Sequence, residues 1–303
     1  GRIAPSSGRE TLTSDPMTLG GYQIDLIEAG RLRLDGGAMF GIVPRPLWAR
    51  RIPPDDRNRI PLAMRCLLLR GHGRTILVDT GLGHKADAKF EDIYGVDHAH
   101  STLVGSLERL GVTPEEVTDV LLTHLHFDHA GGATRRTPGG GLVLTFPEAA
   151  HYVQADHWAW AHESQREAAS FLPDNLDPLE ASGRLVLLDS TASPFENVEL
   201  HIVDGHTRAQ QLPRIHDGDR SLFYAADLVP TAAHVPLLWG MAYDVEPLET
   251  IKEKDRLLTR AASETWRLVF EHDPTIASAR VVETEKGFRT DDEREGLPDA
   301  PGV

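Results

Sequence analysis

Within Thr123-His124-Leu125-His126-Phe127-Asp128-His129, three imidazoles and a carboxylate fall inside six residues, directly after an apolar stretch. Imidazole nitrogen and carboxylate oxygen are the donors that suit borderline divalent metals such as zinc, and catalytic sites of this kind leave a coordination position open for water or substrate. Alternation along an extended segment puts His124 and His126 on one side, and Asp128 and His129 follow where the chain turns. One strand end can therefore supply ligands to two adjacent metals. Fifteen histidines in 303 residues make isolated imidazoles commonplace, but not this density. The pattern has the ligand chemistry of a metallohydrolase and needs no cysteine.

The hexad resembles the His-x-His-x-Asp-His motif of the metallo-β-lactamase superfamily, whose members carry it at the end of a sheet strand and collect three further ligands downstream. Three candidates stand in that order: His206 after the apolar segment Val198 to Val203, Asp227 after the strand-like Ser221 to Ala225, and His272 after Trp266 to Phe270. Upstream, Thr75-Ile76-Leu77-Val78-Asp79-Thr80-Gly81 resembles the superfamily's early strand-plus-Asp element, in which the acid orients the centre from behind the ligands. The resemblance implies His124, His126 and His206 on one metal, Asp128, His129 and His272 on the other, and Asp227 bridging. It also implies two divalent ions, zinc foremost, holding a hydroxide as nucleophile. Coordination lowers the pKa of bound water from about 15.7 towards 7, and a metal pair polarises the attacked carbonyl or phosphoryl oxygen. Asp128 and Asp227 are the expected catalytic carboxylates. His234, in a segment expected to border the pocket, is kept as a further catalytic candidate beside its plainer reading as a loop imidazole. His72, His84, His98, His100, His151 and His157 read as surface or structural.

Ligands shared across a superfamily do not set the substrate. A β-lactamase of the cysteine-containing subclass would carry Cys where Asp227 stands, and the single cysteine is Cys66. Glyoxalase-type thioesterases add a basic C-terminal grip, whereas Asp291-Asp292-Glu293-Arg294-Glu295 is acidic. A diiron redox module would bring a flavin domain, and nothing after residue 285 reads as one. The remaining resemblance is to the branch of quorum-quenching acyl-homoserine lactonases and methyl-parathion-type phosphotriester hydrolases. It rests on the Pro-rich insert Gly41 to Pro61 and on Asp227-Leu228-Val229-Pro230 leading to Ala232-Ala233-His234-Val235. Lactonases of this superfamily place a Tyr three residues after the bridging Asp; here that residue is Pro230, with Tyr224 and Tyr243 as candidate substitutes. Lactone opening is the expected reaction and phosphotriester hydrolysis the alternative. Phe40, Ile42, Trp48, Trp239 and Met241 are expected to wall an apolar acyl or aryl pocket.

Composition agrees with such an enzyme. The chain is 40 % hydrophobic and 25 % charged, ordinary for a globular protein. Its formal charge, 31 minus 46 or -15, repels phosphate backbones despite the local cluster Arg45, Arg50, Arg51, Arg57 and Arg59, so nucleic-acid partners are not expected. No apolar run reaches the eighteen or so residues needed to span a bilayer, and no signal-like segment is apparent. Together with a lone, buried-type cysteine this predicts a cytoplasmic protein acting on a small-molecule ester. An apolar patch on the insert would suit a homodimer contact.

These side chains have to be positioned by strands and helices legible in the pattern. Tyr22 to Ile27, Met64 to Leu69 and Thr75 to Val78 read as antiparallel strands, the last two joined by a Gly71-His72-Gly73 turn. Ser101 to Leu110, Asp156 to Ser170 and Glu249 to Phe270 read as helices, Thr113-Pro114-Glu115-Glu116 as a helix start, Val120 to Leu122 as the strand feeding the hexad, and Ile276 to Val282 as a closing strand. Gly139-Gly140-Gly141 reads as a loop. Periodicity gives an α+β class; the family resemblance makes it a four-layer αββα sandwich. Residues 1–19 are expected to be a disordered or expression-derived extension, and 20–303 a single hydrolase domain.

Overall fold

The computed structural model describes residues 16–298. Its first large sheet runs β1 (Met17–Leu19), β2 (Tyr22–Asp35), β3 (Arg59–Gly71), β4 (Arg74–Val78), β5 (Asp119–Leu121), β8 (Ala150–Gln154) and β9 (Leu185–Leu188). A separate hairpin, β6 (Thr134–Arg136) with β7 (Leu142–Leu144), carries the glycine triplet in its loop. The second large sheet follows chain order: β10 (Val198–Val203), β11 (Gln210–Asp217), β12 (Arg220–Tyr224), β13 (Arg267–Val269), β14 (Ser278–Thr284) and β15 (Gly287–Arg294). β1 to β4 pair antiparallel, as expected of the opening, while β4, β5, β8 and β9 run parallel.

β3 shows why the sheets stack. Successive side chains of a strand point to opposite faces, and both faces of this one are apolar. Leu62, Met64, Cys66 and Leu68 pack with Leu77, Val120, Leu103 and Leu107 under the helices of the first half. Leu67 and Leu69 pack with Ile76, Val78 and Leu121 against Leu212, Ile215, Leu222 and Tyr224 of the second sheet. A strand buried on both faces must lie inside a layered structure. Helix Pro247–Ser263 covers the second sheet with Leu257, Leu258 and Ala261, completing the αββα layering of this α+β fold.

Several elements differ from expectation. The first helix is shorter, Leu103–Arg109, with Thr102 capping it. Asp156 to Ser170 is helical only as Ala155–Glu163; beyond it Ser164 and Glu167 hydrogen-bond to each other and the chain leaves the helix. Glu249 to Phe270 divides into helix Pro247–Ser263 and strand β13, with Thr265 at φ +54° marking the break. Thr113 opens only a single 3-10 turn, Pro114–Glu116. Met17–Leu19, assigned to the extension, pairs with β2 as β1 and belongs to the sheet; residues 1–15 of that extension lie outside the described residues. Among the described residues no helix is long and apolar enough to cross a membrane.

His151 on β8 is fully buried, its Nδ1 donates to the Ala149 carbonyl at 3.1 Å, and its Nε2 finds no partner among the described residues. Burial holds its pKa down to about 4. The unfolded chain takes up this proton near pH 6.5, the folded one only near 4, so stability present above pH 6.5 is lost as pH falls through that window. Replacing His151 by Leu should make the fall shallower by about 1.4 kcal/mol per pH unit between pH 6 and 4. Urea unfolding at a series of pH values measures it; an unchanged slope would show that His151 titrates as it does in the open chain.

Candidate metal centre

The hexad leaves β5 under the control of one carboxylate. Asp79 closes β4 at φ +56°, and its Oδ1 accepts the Thr123 amide at 2.7 Å while Oδ2 accepts the Thr123 hydroxyl at 2.7 Å and faces His129 Nδ1 at 3.1 Å. A positive φ is costly for a residue with a Cβ, so this backbone is held by what surrounds it. Asp79 thus ties the end of one strand to the second residue after its neighbour and to a ring of the cluster. The Thr80 amide and hydroxyl both reach the His129 carbonyl at 2.8 Å, fixing the short helix Phe127–Ala130.

The second sheet supplies the rest. His206 follows β10 in a loop whose Asp204 and Gly205 amides donate to the Glu253 carboxylate at 2.6 and 3.0 Å. Gly205 is required there, because a Cβ would lie 2.4 Å from the Thr250 amide nitrogen and hydroxyl. Asp227 sits on the 3-10 turn Ala226–Leu228 after β12, and His272 follows β13. The His272 backbone bridges Pro230 and Ala63, and its Nδ1 donates to the Ala63 carbonyl at 2.8 Å.

These elements bring together every ligand candidate from the sequence. His124, His126, His206 and Asp227 form one group and Asp128, His129 and His272 another, with donor atoms inside each within 4.8 Å of one another and all residues buried. Asp227 stands between the groups: Oδ2 is 3.1 Å from His206 Nε2 and 3.4 Å from His129 Nε2, and Oδ1 is 3.2 Å from His272 Nε2. Asp128 Oδ2 lies 3.7 Å from His272 Nε2.

The donor set fits divalent metal. His124 Nε2 and His206 Nε2 lie 3.1 and 3.2 Å from His126 Nδ1, and His272 Nε2 lies 3.1 Å from His129 Nε2. Ring nitrogens facing each other in a water-poor site cannot all present protons, whereas lone pairs converging on a cation satisfy them together. Asp227 Oδ1 is buried without a hydrogen bond. In the bare cluster, burial opposes charge on His206, but Asp227 and then Asp244 outweigh it and push the ring up to about 10; His272 rises to about 9 as Asp227 and Glu271 outweigh its burial. Burial likewise works against the Asp227 carboxylate, and His129, His206 and His272 hold it well below its usual range.

Each ring is steered from behind by residues that the sequence pattern marks less clearly. Glu167 Oε1 meets His126 Nε2 at 2.8 Å, so His126 turns Nδ1 to the cluster; Glu167 is itself held by Trp160 Nε1 and the Ser164 hydroxyl. Burial disfavours this carboxylate, yet the His126 contact holds its pKa down to about 2. Asp244 Oδ1 accepts from His206 Nδ1 at 3.1 Å. Glu271 Oε2 faces His129 Nδ1 at 3.0 Å opposite Asp79, with its carboxyl pushed up to about 8 by burial. His157, read as structural, accepts the Leu125 amide on Nε2 at 2.8 Å and so shapes the hexad loop. Glu271 adjoins a ligand and was within reach of sequence reasoning; Glu167 and Asp244 lie in irregular segments with no periodic signal.

A cavity of about 190 Å³ opens onto the cluster, with Asp128, Asp227, His126, His206 and His272 on its floor and Leu34, Met39, Phe127, Met241, Tyr94 and Tyr243 among its walls. Met241 is thus a wall residue as expected, but four other proposed wall residues are not. Phe40 is fully buried in a stack between Trp48, 5.4 Å away, and His234, 4.5 Å away; Trp239 meets Phe40 edge-on; and Ile42 is 91 % exposed. The aromatic residues fill the core behind the cavity because their flat faces find each other there. His234 is corrected too: Nε2 donates to the Met39 carbonyl at 2.7 Å, Nδ1 accepts the Thr231 hydroxyl, and burial keeps the ring neutral with a pKa of about 3, leaving no nitrogen for substrate. Tyr224 is buried with its hydroxyl on the Arg65 carbonyl, whereas Tyr243 reaches the cavity.

A family profile described as "Metallo-beta-lactamase superfamily" matches residues 61–272, the span from β3 to the last ligand candidate. The chain belongs to the metallo-β-lactamase superfamily. It is 34 % identical over 84 residues to an N-acyl homoserine lactonase of Bacillus cereus, a match covering 25 % of this chain and 34 % of that protein. A probable metal-dependent hydrolase from Staphylococcus aureus superposes with a TM-score of 0.83 at 28 % identity, covering 92 % of this chain and 98 % of that one. AidC, a dizinc quorum-quenching lactonase, has the same fold at 20 % identity, with a TM-score of 0.76 over 92 % of this chain and 96 % of its own. The curated lactonase is thus matched over about a third of its length.

Because Glu167 and Asp244 choose which nitrogen their histidines present, Glu167→Gln and Asp244→Asn should each weaken zinc binding by about 10-fold or more. Competition with a chromophoric chelator measures this, and parental affinity in both variants would show that the rings are held without them.

Proposed function

We propose that this superfamily hydrolase is a dinuclear, zinc-dependent lactonase that opens the ring of an acyl-homoserine lactone. The observation that carries the reading is the union of two ligand groups joined at Asp227 with a largely apolar cavity above them. A lactone ring is small and polar, and an acyl tail needs an apolar wall; Leu34, Met39, Phe127 and Met241 offer one. The partial sequence match to a curated N-acyl homoserine lactonase supports the same substrate class.

Bound at the cluster, two zinc ions would supply Lewis acidity and a nucleophile at neutral pH. The chain's own residues do the remainder. His124, His126 and His206 would hold one ion and Asp128, His129 and His272 the other, with Asp227 shared. Asp128 faces the cavity with its carboxylate, placed to take up a proton and return it to the alcohol oxygen released as the ring opens. The Tyr94 and Tyr243 hydroxyls wall the same cavity and can donate to the substrate's carbonyl oxygens, a task for which Pro230 has no group.

A second reading, aryl phosphotriester hydrolysis, is favoured by one observation: Tyr224 is turned away to the Arg65 carbonyl, leaving no tyrosine on the turn that carries Asp227. The deciding experiment is the initial rate of acyl-homoserine lactone opening by zinc-loaded protein, followed by proton release. We expect kcat/KM above about 10⁴ M⁻¹s⁻¹, abolished by chelation and by Asp128→Ala. A rate at background with both metals bound would remove lactones and put aryl phosphotriesters in their place.

A further inference from the structure

Lys254 lies on helix Pro247–Ser263 and is fully buried, yet no carboxylate pairs with it among the described residues. Its Nζ instead donates to backbone carbonyls of one segment: His234 at 2.6 Å, Pro236 at 2.8 Å, Trp239 at 3.0 Å and Leu237 at 3.3 Å. An ammonium has three N–H donors, so four oxygens around it form a closed cage. A buried charge is tolerated only when its environment solvates it, and here the solvent is a stretch of six residues wrapped round the nitrogen. Lys254 therefore dictates the course of residues 234–239. Remove the charge and these carbonyls point at one another with nothing between them.

That segment leads straight to the candidate site. Met241, Ala242 and Tyr243 wall the cavity. Asp244 receives His206 Nδ1 on one oxygen and the Met241 amide on the other, and the Val245 amide donates to the His206 carbonyl. The segment also abuts the opposite wall, since the Ala242 amide donates to the Ala38 carbonyl beside Met39. On the same helix, the adjacent Glu253 binds the Asp204 and Gly205 amides that precede His206, and Thr250, one turn earlier, packs on Gly205. His206 is thus approached from two sides by a single helix.

We propose that Lys254 is a positioning residue for this centre: its carbonyl cage sets the segment that forms one cavity wall and presents Asp244 to His206. The proposal rests on the reading of His206 as a metal ligand, but the cage can be tested without it. Lys254→Ala removes the three carbons beyond Cβ and the ammonium, leaving a hollow matched by n-propylammonium.

The test combines hydrogen exchange with zinc titration on the parent chain, Lys254→Ala, Lys254→Met and Lys254→Gln. In Lys254→Met we expect amides of residues 234–244 to exchange at least tenfold faster while those of β3 and β4 keep parental rates, and zinc affinity to fall about tenfold. In Lys254→Ala, n-propylammonium chloride should restore slow exchange and zinc affinity, and sodium chloride at equal ionic strength should not. Parental exchange across 234–244 in Lys254→Met would overturn the proposal. So would general loss of protection or failure of all three variants to fold, which would make Lys254 a support of the whole sandwich. Fast exchange of the segment with unchanged zinc affinity would refute the link from cage to His206. A parent chain that binds no zinc would refute the ligand reading instead.

Discussion

Everything in this structure answers to one electrostatic difficulty: five imidazoles and two carboxylates are gathered where water is scarce. Bringing lone pairs to within about 3 Å of each other is unfavourable unless a cation lies among them, and removing carboxylates from water costs several kcal/mol each unless they are compensated. The fold carries this cost through rigidity. Each ring has its second nitrogen fixed by a partner: Thr123 for His124, Glu167 for His126, Asp244 for His206, Ala63 for His272, Asp79 and Glu271 for His129. A ring that cannot rotate cannot relieve the crowding by turning away, so the convergence survives folding.

The two sheets share the labour unequally. The first contributes four donors from one continuous turn, whose geometry is local and depends on Asp79 and Thr123. The second contributes single residues from three strand ends, each needing its own support. That difference shows in the protein's investment in buried polar groups. Around the hexad Asp79, Glu167, Glu271 and His157 serve four donors between them, whereas His206 alone draws on Glu253, Thr250, Asp244 and the helix that carries Lys254.

The same difference governs what could be read from the chain. The hexad was legible because its donors are adjacent in sequence, whereas His206, Asp227 and His272 were singled out by the family resemblance, each standing after an apolar run where its ligand order expects one. The α+β class was legible in periodicity, but the αββα layering came only with the family resemblance, since Arg65 interrupts the apolar run of β3 and hides its burial on both faces. Among the supporting residues Glu167 and Asp244 were not legible, because they acquire their roles only through pairs 41 and 38 residues apart, and no periodicity records such a pairing. Aromatic side chains misled for a related reason. Hydrophobicity says that Phe40, Trp48 and Trp239 avoid water but not whether they do so behind a cavity or around it, and stacking on His234 settled the matter inside the core.

The candidate ligand groups draw on both sheets, from His124 after β5 of the first to His272 after β13 of the second. A cation at Asp227 would therefore join two halves that otherwise meet through apolar contacts and a few backbone bonds, such as those from Ala63 and Arg65 to His272 and Glu271. It would act as a stitch across the sandwich, and its binding energy would be available to the folded chain only, since the open chain cannot assemble the two groups at once. Metal binding would then hold the two halves together as well as complete the site, and its loss would loosen the sandwich at its seam.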